Sequence, residues 1–241
     1  TNSSSFNRGC PLNIRGKRAG DLDGNNNNIN PFINPRIRNY GRAGFDRTHN
    51  LTINYVYKLP GLSKRLGDNA VTRQVFDGWE LSGITSFISG SPLGIGYGTV
   101  QGTDLVGGSG GGLDSRVVLI ADPVLAKSER TFARFFNTAA VQAPTKANFG
   151  IGNAAKDLIR GPGTNNWDIS LFKNFVFGRD GAFRLQYRLE TYNTFNHTQF
   201  SSVDTTARFD LTTGAQVNSL FGSYTGAANS RRIVMGLKLA F

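Results

Sequence analysis

Residues 183–193 read FRLQYRLETYN, and the fold turns on them. Phe183, Leu185, Tyr187 and Leu189 alternate with Arg184, Gln186, Arg188 and Glu190. Successive side chains of an extended chain point to opposite sides, so this segment predicts a strand with one apolar and one charged face. A helix would scatter the same residues around its circumference.

The same period recurs on either side. In HNLTINYVYKLP, Leu51, Ile53, Tyr55, Tyr57 and Leu59 share a face, opposite Asn50, Thr52, Asn54 and Lys58, with Val56 out of pattern. About nine residues of period two is the length of a tilted strand that crosses a bilayer. GWELSGITSFISG sets Trp79, Leu81, Thr85 and Phe87 on one face but Ile84 and Ile88 on the other, and a bulge near Gly83 is expected to reset the alternation. NWDISLFKNFVF separates Trp167, Ile169, Leu171 and Phe175 from Asp168, Ser170 and Asn174. Lys173 is its misfit, a cation on the apolar face; close to the turn, its stem can carry the charge to an interface. RRIVMGLKLAF carries Ile233, Met235, Leu237, Leu239 and Phe241 at every second position. Pro60-Gly61 and GRDG at 178–181 mark the ends of the first and third strands.

Between the strands the chain is irregular. Residues 1–48 are expected to be a polar, extracellular loop region, and residues 49–241 a single partial domain of barrel strands with long loops at 90–165 and 197–230. GGSGGG at 107–112 predicts a flexible loop and lacks the Gly-Lys-Ser/Thr of a phosphate-binding loop. SERTFARFFN predicts a short helix with Phe132, Phe135 and Phe136 on one side. DLDGN at 21–25 faintly resembles a calcium loop but lacks its full spacing and closing glutamate.

Composition narrows the class. No stretch approaches the ~20 apolar residues of a spanning helix, and the longest clean apolar run is Val117–Ala121. Barrels alternate and show no such run. The 30 glycines and 18 phenylalanines, against 1 methionine, favour strands and turns. Cys10, the single cysteine, has no partner within the chain. The net charge of +11 suits nucleic acid, an anionic membrane surface or anionic ligands. Arg15, Lys17, Arg18, Arg36, Arg38, Arg42 and Arg47 make the first fifth especially basic.

A soluble sandwich also alternates, burying its apolar face against a second sheet. Two features point instead to an all-β, antiparallel transmembrane barrel segment. Connections after the first and third strands are short and those after the second and fourth long, as periplasmic turns and extracellular loops are. Aromatics also gather near strand ends: Tyr55, Tyr57, Trp79, Phe175, Phe177, Phe183 and Phe241 beside the short turns, Trp167, Tyr192 and Phe195 beside the long loops. Girdles at the two membrane–water interfaces have this distribution.

The blocks NYGRAGFDRTHNLTINYVYKLP, GWELSGITSFISGSPLGI, RTFARFFNTAAV, LIRGPGTNNWDISLFKNF and FRLQYRLETYNTFNHTQF, with the terminal strand, resemble the C-terminal end of TonB-dependent outer-membrane receptors. The closest kind is Oar-like, often with a carboxypeptidase-regulatory-like domain at its N-terminus. The resemblance covers about residues 39–241. It implies a barrel of about 22 strands with a plugged lumen, import of a substrate driven through the TonB complex, and a bacterial outer-membrane location. Ile233, Met235, Leu237, Leu239 and Phe241 then resemble the signal that barrel-assembly machinery reads. Leader, plug and TonB-contacting patterns do not occur in these residues, so the expectation is a C-terminal fragment whose plug and remaining strands lie elsewhere.

Other chemistry fits less well. Asp168 and Glu190 are expected on neighbouring strands facing one side, like paired acid–base carboxylates, but Arg184 and Arg188 share that side and charge pairing on a wet wall accounts for all four. No enzyme activity, metal or cofactor is expected. A soluble basic β protein that binds nucleic acid would stack bases beside its cations, yet Phe183 and Tyr187 lie opposite Arg184 and Arg188, so no nucleic-acid partner is expected. A passive structural barrel or adhesin shares every barrel feature. In the transporter reading Asn50, Thr52, Asn54, Lys58, Asp168, Ser170, Arg184, Gln186, Arg188 and Glu190 line the lumen, Tyr55, Tyr57, Trp79, Trp167, Phe175 and Phe183 form the girdles, and loop cations meet lipopolysaccharide.

Overall fold

The computed structural model describes residues 41–65, 67, 69–102, 115–146, 150–177 and 183–240. The calcium-like loop at Asp21–Asn25, Cys10, the basic residues from Arg15 to Arg38, the glycine run at 107–112, the turn at 178–181 and Phe241 lie outside them. The chain divides into two compact units, one of strands and one of long connections.

The strand unit spans His49–Ser89, Gly163–Gln199 and Ala227–Phe241. Its five strands are β1 (Asn50–Lys58), β2 (Trp79–Ile88), β3 (Thr164–Phe177), β4 (Phe183–Tyr192) and β5 (Arg232–Ala240). They form one antiparallel meander in the order β1-β2-β3-β4-β5. Directly paired residues point to the same side of an antiparallel sheet, so the register sorts every side chain. The row Tyr55, Gly83, Ile169, Thr191, Ile233 runs straight across all five strands. Rows two residues away on either side bring Ile53, Tyr57, Leu81, Trp167, Leu171, Leu189, Met235 and their neighbours onto the same apolar side.

The bulge expected at Gly83 is absent. Pairing on both edges of β2 runs without interruption from Trp79 to Ile88. Ile84 and Ile88 therefore stay on the polar side, as their position demands. Gly83 has a different purpose: a Cβ there would lie 2.5 Å from the Tyr55 hydroxyl and 2.7 Å from the Asp168 carbonyl oxygen. The Tyr55 ring lies across the glycine, as aromatic rings do over strand glycines. Tyr55 thus sits mid-strand, further from the turn than the girdle assigned to it on sequence.

The connection 59–78 also holds more than turn chemistry. A single 3₁₀ turn at Ser63–Arg65 precedes a helix, α1 (Ala70–Phe76). Asn69 starts it through a capping box: its side chain accepts from the Thr72 N–H (2.8 Å), and its own N–H donates to Thr72 Oγ1 (3.0 Å). Asp77 ends it, donating its N–H to the Arg73 carbonyl (3.1 Å). Gly78, at φ +76°, turns the chain into β2.

The second unit comprises Gly90–Pro162 and Phe200–Gly226 together with the segment up to Thr48. The excursions read as irregular loops have a core of their own: Ile95, Val117, Phe135, Phe136, Val141, Ala154, Ile159, Ala207, Phe209 and Phe221. Gly96–Thr99 and Thr206–Phe209 pair in parallel, joining the two long connections. Shorter antiparallel pairs link 92–93 with 159–160 and 118–119 with 141–142. The helix expected in SERTFARFFN is not formed; a 3₁₀ turn at Lys127–Glu129 and a bridge between Thr131 and Arg134 replace it. Phe135 and Phe136 are both buried although adjacent, whereas Phe132 is exposed. Asp46 pairs with Arg160, whose guanidinium also donates to the Gly90 carbonyl (3.1 Å).

Candidate functional site

The polar side of the sheet gathers the residues expected to line a lumen. Asn50, Thr52, Asn54 and Lys58 of β1, Asp168 and Ser170 of β3, and Arg184, Gln186, Arg188 and Glu190 of β4 share it by register. The structure adds Glu80 and Ser82 of β2, Asn174 of β3, and Arg232 and Lys238 of β5. The alternation that identified the other members carried the same signal at these five positions. Lys58, Arg184, Arg188, Arg232 and Lys238 outnumber Glu80, Asp168 and Glu190, so the wall is net cationic.

Contacts along this wall run both across and along strands. Gln186 Nε2 donates to Asn174 Oδ1 (2.9 Å), its direct partner on β3. Arg188 pairs with Glu190 (3.2 Å) on its own strand and lies over the Phe172 ring at 5.1 Å, covering an apolar intruder on the polar side. Tyr192 donates its hydroxyl to Glu190 (3.3 Å) and lies under the Arg232 guanidinium at 4.6 Å. Lys58 stands directly opposite Glu80. Half-exposed pairs of this kind orient one another at a gain of about 0–1 kcal/mol each.

Asp168 has a different role from the expected charge pairing. Its carboxylate accepts the Asn193 N–H (2.8 Å) and fastens the corner after β4. Asn193 and Asn196 adopt positive φ there, a conformation asparagine tolerates well. The Asn193 side chain also receives the His197 N–H (3.0 Å) and donates to the His197 carbonyl (3.0 Å). Asp168 is thus a corner anchor and Glu190 an ion-pair member.

The apolar side is exposed on the outer strands β1 and β5 and mostly half-buried on the inner three, and its ends are aromatic. Met235 and Leu237 are 68% and 71% exposed, and Ile233 and Leu239 are similarly open; Phe241 is outside the described residues. At the long-connection end Trp167 meets Phe87 and Phe195 edge-on, with centroids 5.7 and 5.5 Å away. At the other end lie Tyr57, Trp79, Phe175, Phe177 and Phe183, with Phe177 opposite Phe183. Lys173, the misfit, is 2% exposed. Its ammonium donates to the Asp77 carbonyl and lies 5.2 Å from the Trp79 ring and 5.1 Å from the Phe175 ring. The stem crosses apolar surface and the charge ends on the Asp77 carbonyl, beside two aromatic rings, at the short-connection end.

An apolar side, open on its outer strands and backed by a polar one, has the chemistry of a wall between hydrocarbon and water. No curated protein and no solved structure matches the chain. The family model described as the outer membrane beta barrel domain matches residues 14–234, and the chain accordingly belongs to that family, as an all-β, antiparallel barrel protein of the bacterial outer membrane.

Proposed function

We propose that the chain supplies C-terminal strands of a TonB-dependent receptor of the Oar-like kind, which imports a solute across the outer membrane. The observation that carries this reading is the segregated register: five strands hold most of their charges and amides on one side and most of their apolar residues on the other, Lys173, Ile84, Ile88 and Phe172 being among the exceptions. The sequence blocks that resemble such receptors support the finer assignment. Among the described residues β1 and β5 each pair on one side only. Bacterial barrels need about eight strands or more, so we infer that further strands of the protein pair with both edges. An N-terminal plug would hydrogen-bond the polar wall, and its net positive charge favours an acidic plug surface or an anionic solute. In this reading the connections 59–78 and 178–182 face the periplasm, the cations of the long connections meet lipopolysaccharide phosphates, barrel-assembly machinery reads β5 and Phe241, and no residue acts as a catalyst.

The test is uptake of candidate solutes by cells carrying the intact protein, with and without TonB. Loss of uptake without TonB supports the proposal. Uptake that persists without it, or no uptake with it, favours a passive barrel or an adhesin.

A further inference from the structure

The connection between β1 and β2 presents an apolar surface of its own. Val71, Val75 and Phe76 of α1 are exposed, and so is Leu62 before it. Val71 and Val75 lie one turn apart on one helix face, while Thr72 and Gln74 are half-buried. Lys64 and Arg65 are exposed beside Leu62.

Three contacts locate this helix. Trp79 Nε1 donates to the Val75 carbonyl (2.9 Å), and the Lys173 ammonium donates to the Asp77 carbonyl. Trp79 and Lys173 are direct partners that project from the apolar side of the sheet. The end of α1 therefore lies on the side that meets hydrocarbon, at the strand ends. Gln74 Nε2 adds a third tether, to the Val176 carbonyl (2.8 Å).

We propose that α1 and the turn before it are a membrane-surface element. Leu62, Val71, Val75 and Phe76 sit among the headgroups and upper acyl chains of the phospholipid leaflet at the short-connection end, and Lys64 and Arg65 meet its phosphates. Lipid is the occupant because the helix surface continues the lipid-facing side of the sheet. Trp79 and Lys173, which hold it, are residue types that anchor proteins at membrane interfaces. Apolar residues flanked by cations are also the composition of surface-seeking helices. The capping box holds the helix in shape before lipid arrives. The inference rests on the sheet being a barrel wall.

Cys10 is changed to serine, and a single cysteine at Val71→Cys is labelled with a bimane fluorophore in the intact protein. The protein is folded into vesicles of phosphatidylethanolamine and phosphatidylglycerol. Phospholipid brominated on its upper acyl chain is expected to lower the emission about twofold, as for an interfacial site. Aqueous iodide is expected to quench it far less than a probe at Asp122→Cys in the second unit. Val75→Cys provides the same readings should Val71→Cys not fold. Insensitivity of both helix probes to bromolipid overturns the inference, whether water or a protein covers the helix. A probe at Leu237→Cys keeps the two claims apart. If it is quenched by bromolipid and the helix probes are not, only the surface element fails; if it too ignores bromolipid, the barrel wall itself fails.

Discussion

Replacing Lys173 with methionine is expected to destabilise the folded barrel by about 1.5–5 kcal/mol, although it removes a charge from an apolar face. The lysine donates a charged hydrogen bond to the Asp77 carbonyl, a type that contributes about 1.5–3 kcal/mol. Its contacts with the Trp79 and Phe175 rings contribute about 0.5–1 kcal/mol each. Methionine keeps most of the stem's packing but none of these. The opposing term is the cost of the charge in lipid, about 0–1 kcal/mol at the strand ends, where the contacts above replace the water lost by a side chain only 2% exposed. Leu171, two residues deeper on the same face and paired with Leu81 and Leu189, provides the contrast. There, Leu171→Lys is expected to cost about 2–4 kcal/mol, since the charge would lie nearer the bilayer midplane. Urea unfolding in lipid vesicles, followed by circular dichroism, measures both as midpoint shifts at constant slope. A Lys173→Met protein as stable as the parent, or more stable, would refute the reasoning and make the lysine a tolerated defect.

Gly83→Val is expected to cost about 1–3 kcal/mol by overpacking, because the Tyr55 ring can swing aside but the Asp168 carbonyl cannot; adding Tyr55→Ala should recover only part of the loss, and an unshifted urea midpoint for the single variant contradicts the ring-over-glycine account. Phe136→Ala removes a side chain that is 1% exposed and meets Phe221 edge-on at 5.1 Å, a loss of about 3–5 kcal/mol. Hydrogen exchange should quicken through 90–162 and 200–226 while β4 stays protected; no change there means these connections do not share a core. The Asp210 carboxyl is held below the usual range, first by the Thr212 N–H and then by the Gln101 side chain. Its contribution is present above the unfolded pKa and lost as pH falls through the lowered folded value, so the 210–215 turn should survive mild acid. Carbon NMR of the Asp210 carboxyl checks this, and a midpoint in or above the ordinary aspartate range contradicts it.

The strands were legible because period two needs no knowledge of partners. FRLQYRLETYN announces β4, and the same arithmetic locates the other four and their faces. Gly83 was misread because a glycine in a strand signals either a bulge or a close approach, and only the register reveals that Tyr55 lies opposite. Helix α1 escaped notice since seven residues show little periodicity, and its capping box, Asn69 with Thr72, has threonine where glutamate would advertise it. The core of the long connections was invisible for a deeper reason. Phe135, Phe136, Phe209 and Phe221 converge through tertiary contacts between segments far apart in sequence, with no repeat to betray them. Asp168 looked like a charge for a wet wall; that it fastens Asn193 depends on a backbone corner that composition does not encode. Lys173 was recognisable as a misfit, but its acceptor, a carbonyl at the end of an unforeseen helix, was not.

The central claim is that the two sides of this sheet meet different solvents. Spin labels placed singly from 183 to 190 in the membrane-embedded protein test it directly, through collisions with oxygen, which partitions into lipid, and with a water-soluble nickel chelate. The account predicts oxygen maxima at 183, 185, 187 and 189 and nickel maxima at 184, 186, 188 and 190. Accessibility that shows no alternation, or nickel access equal on both sides, would contradict it.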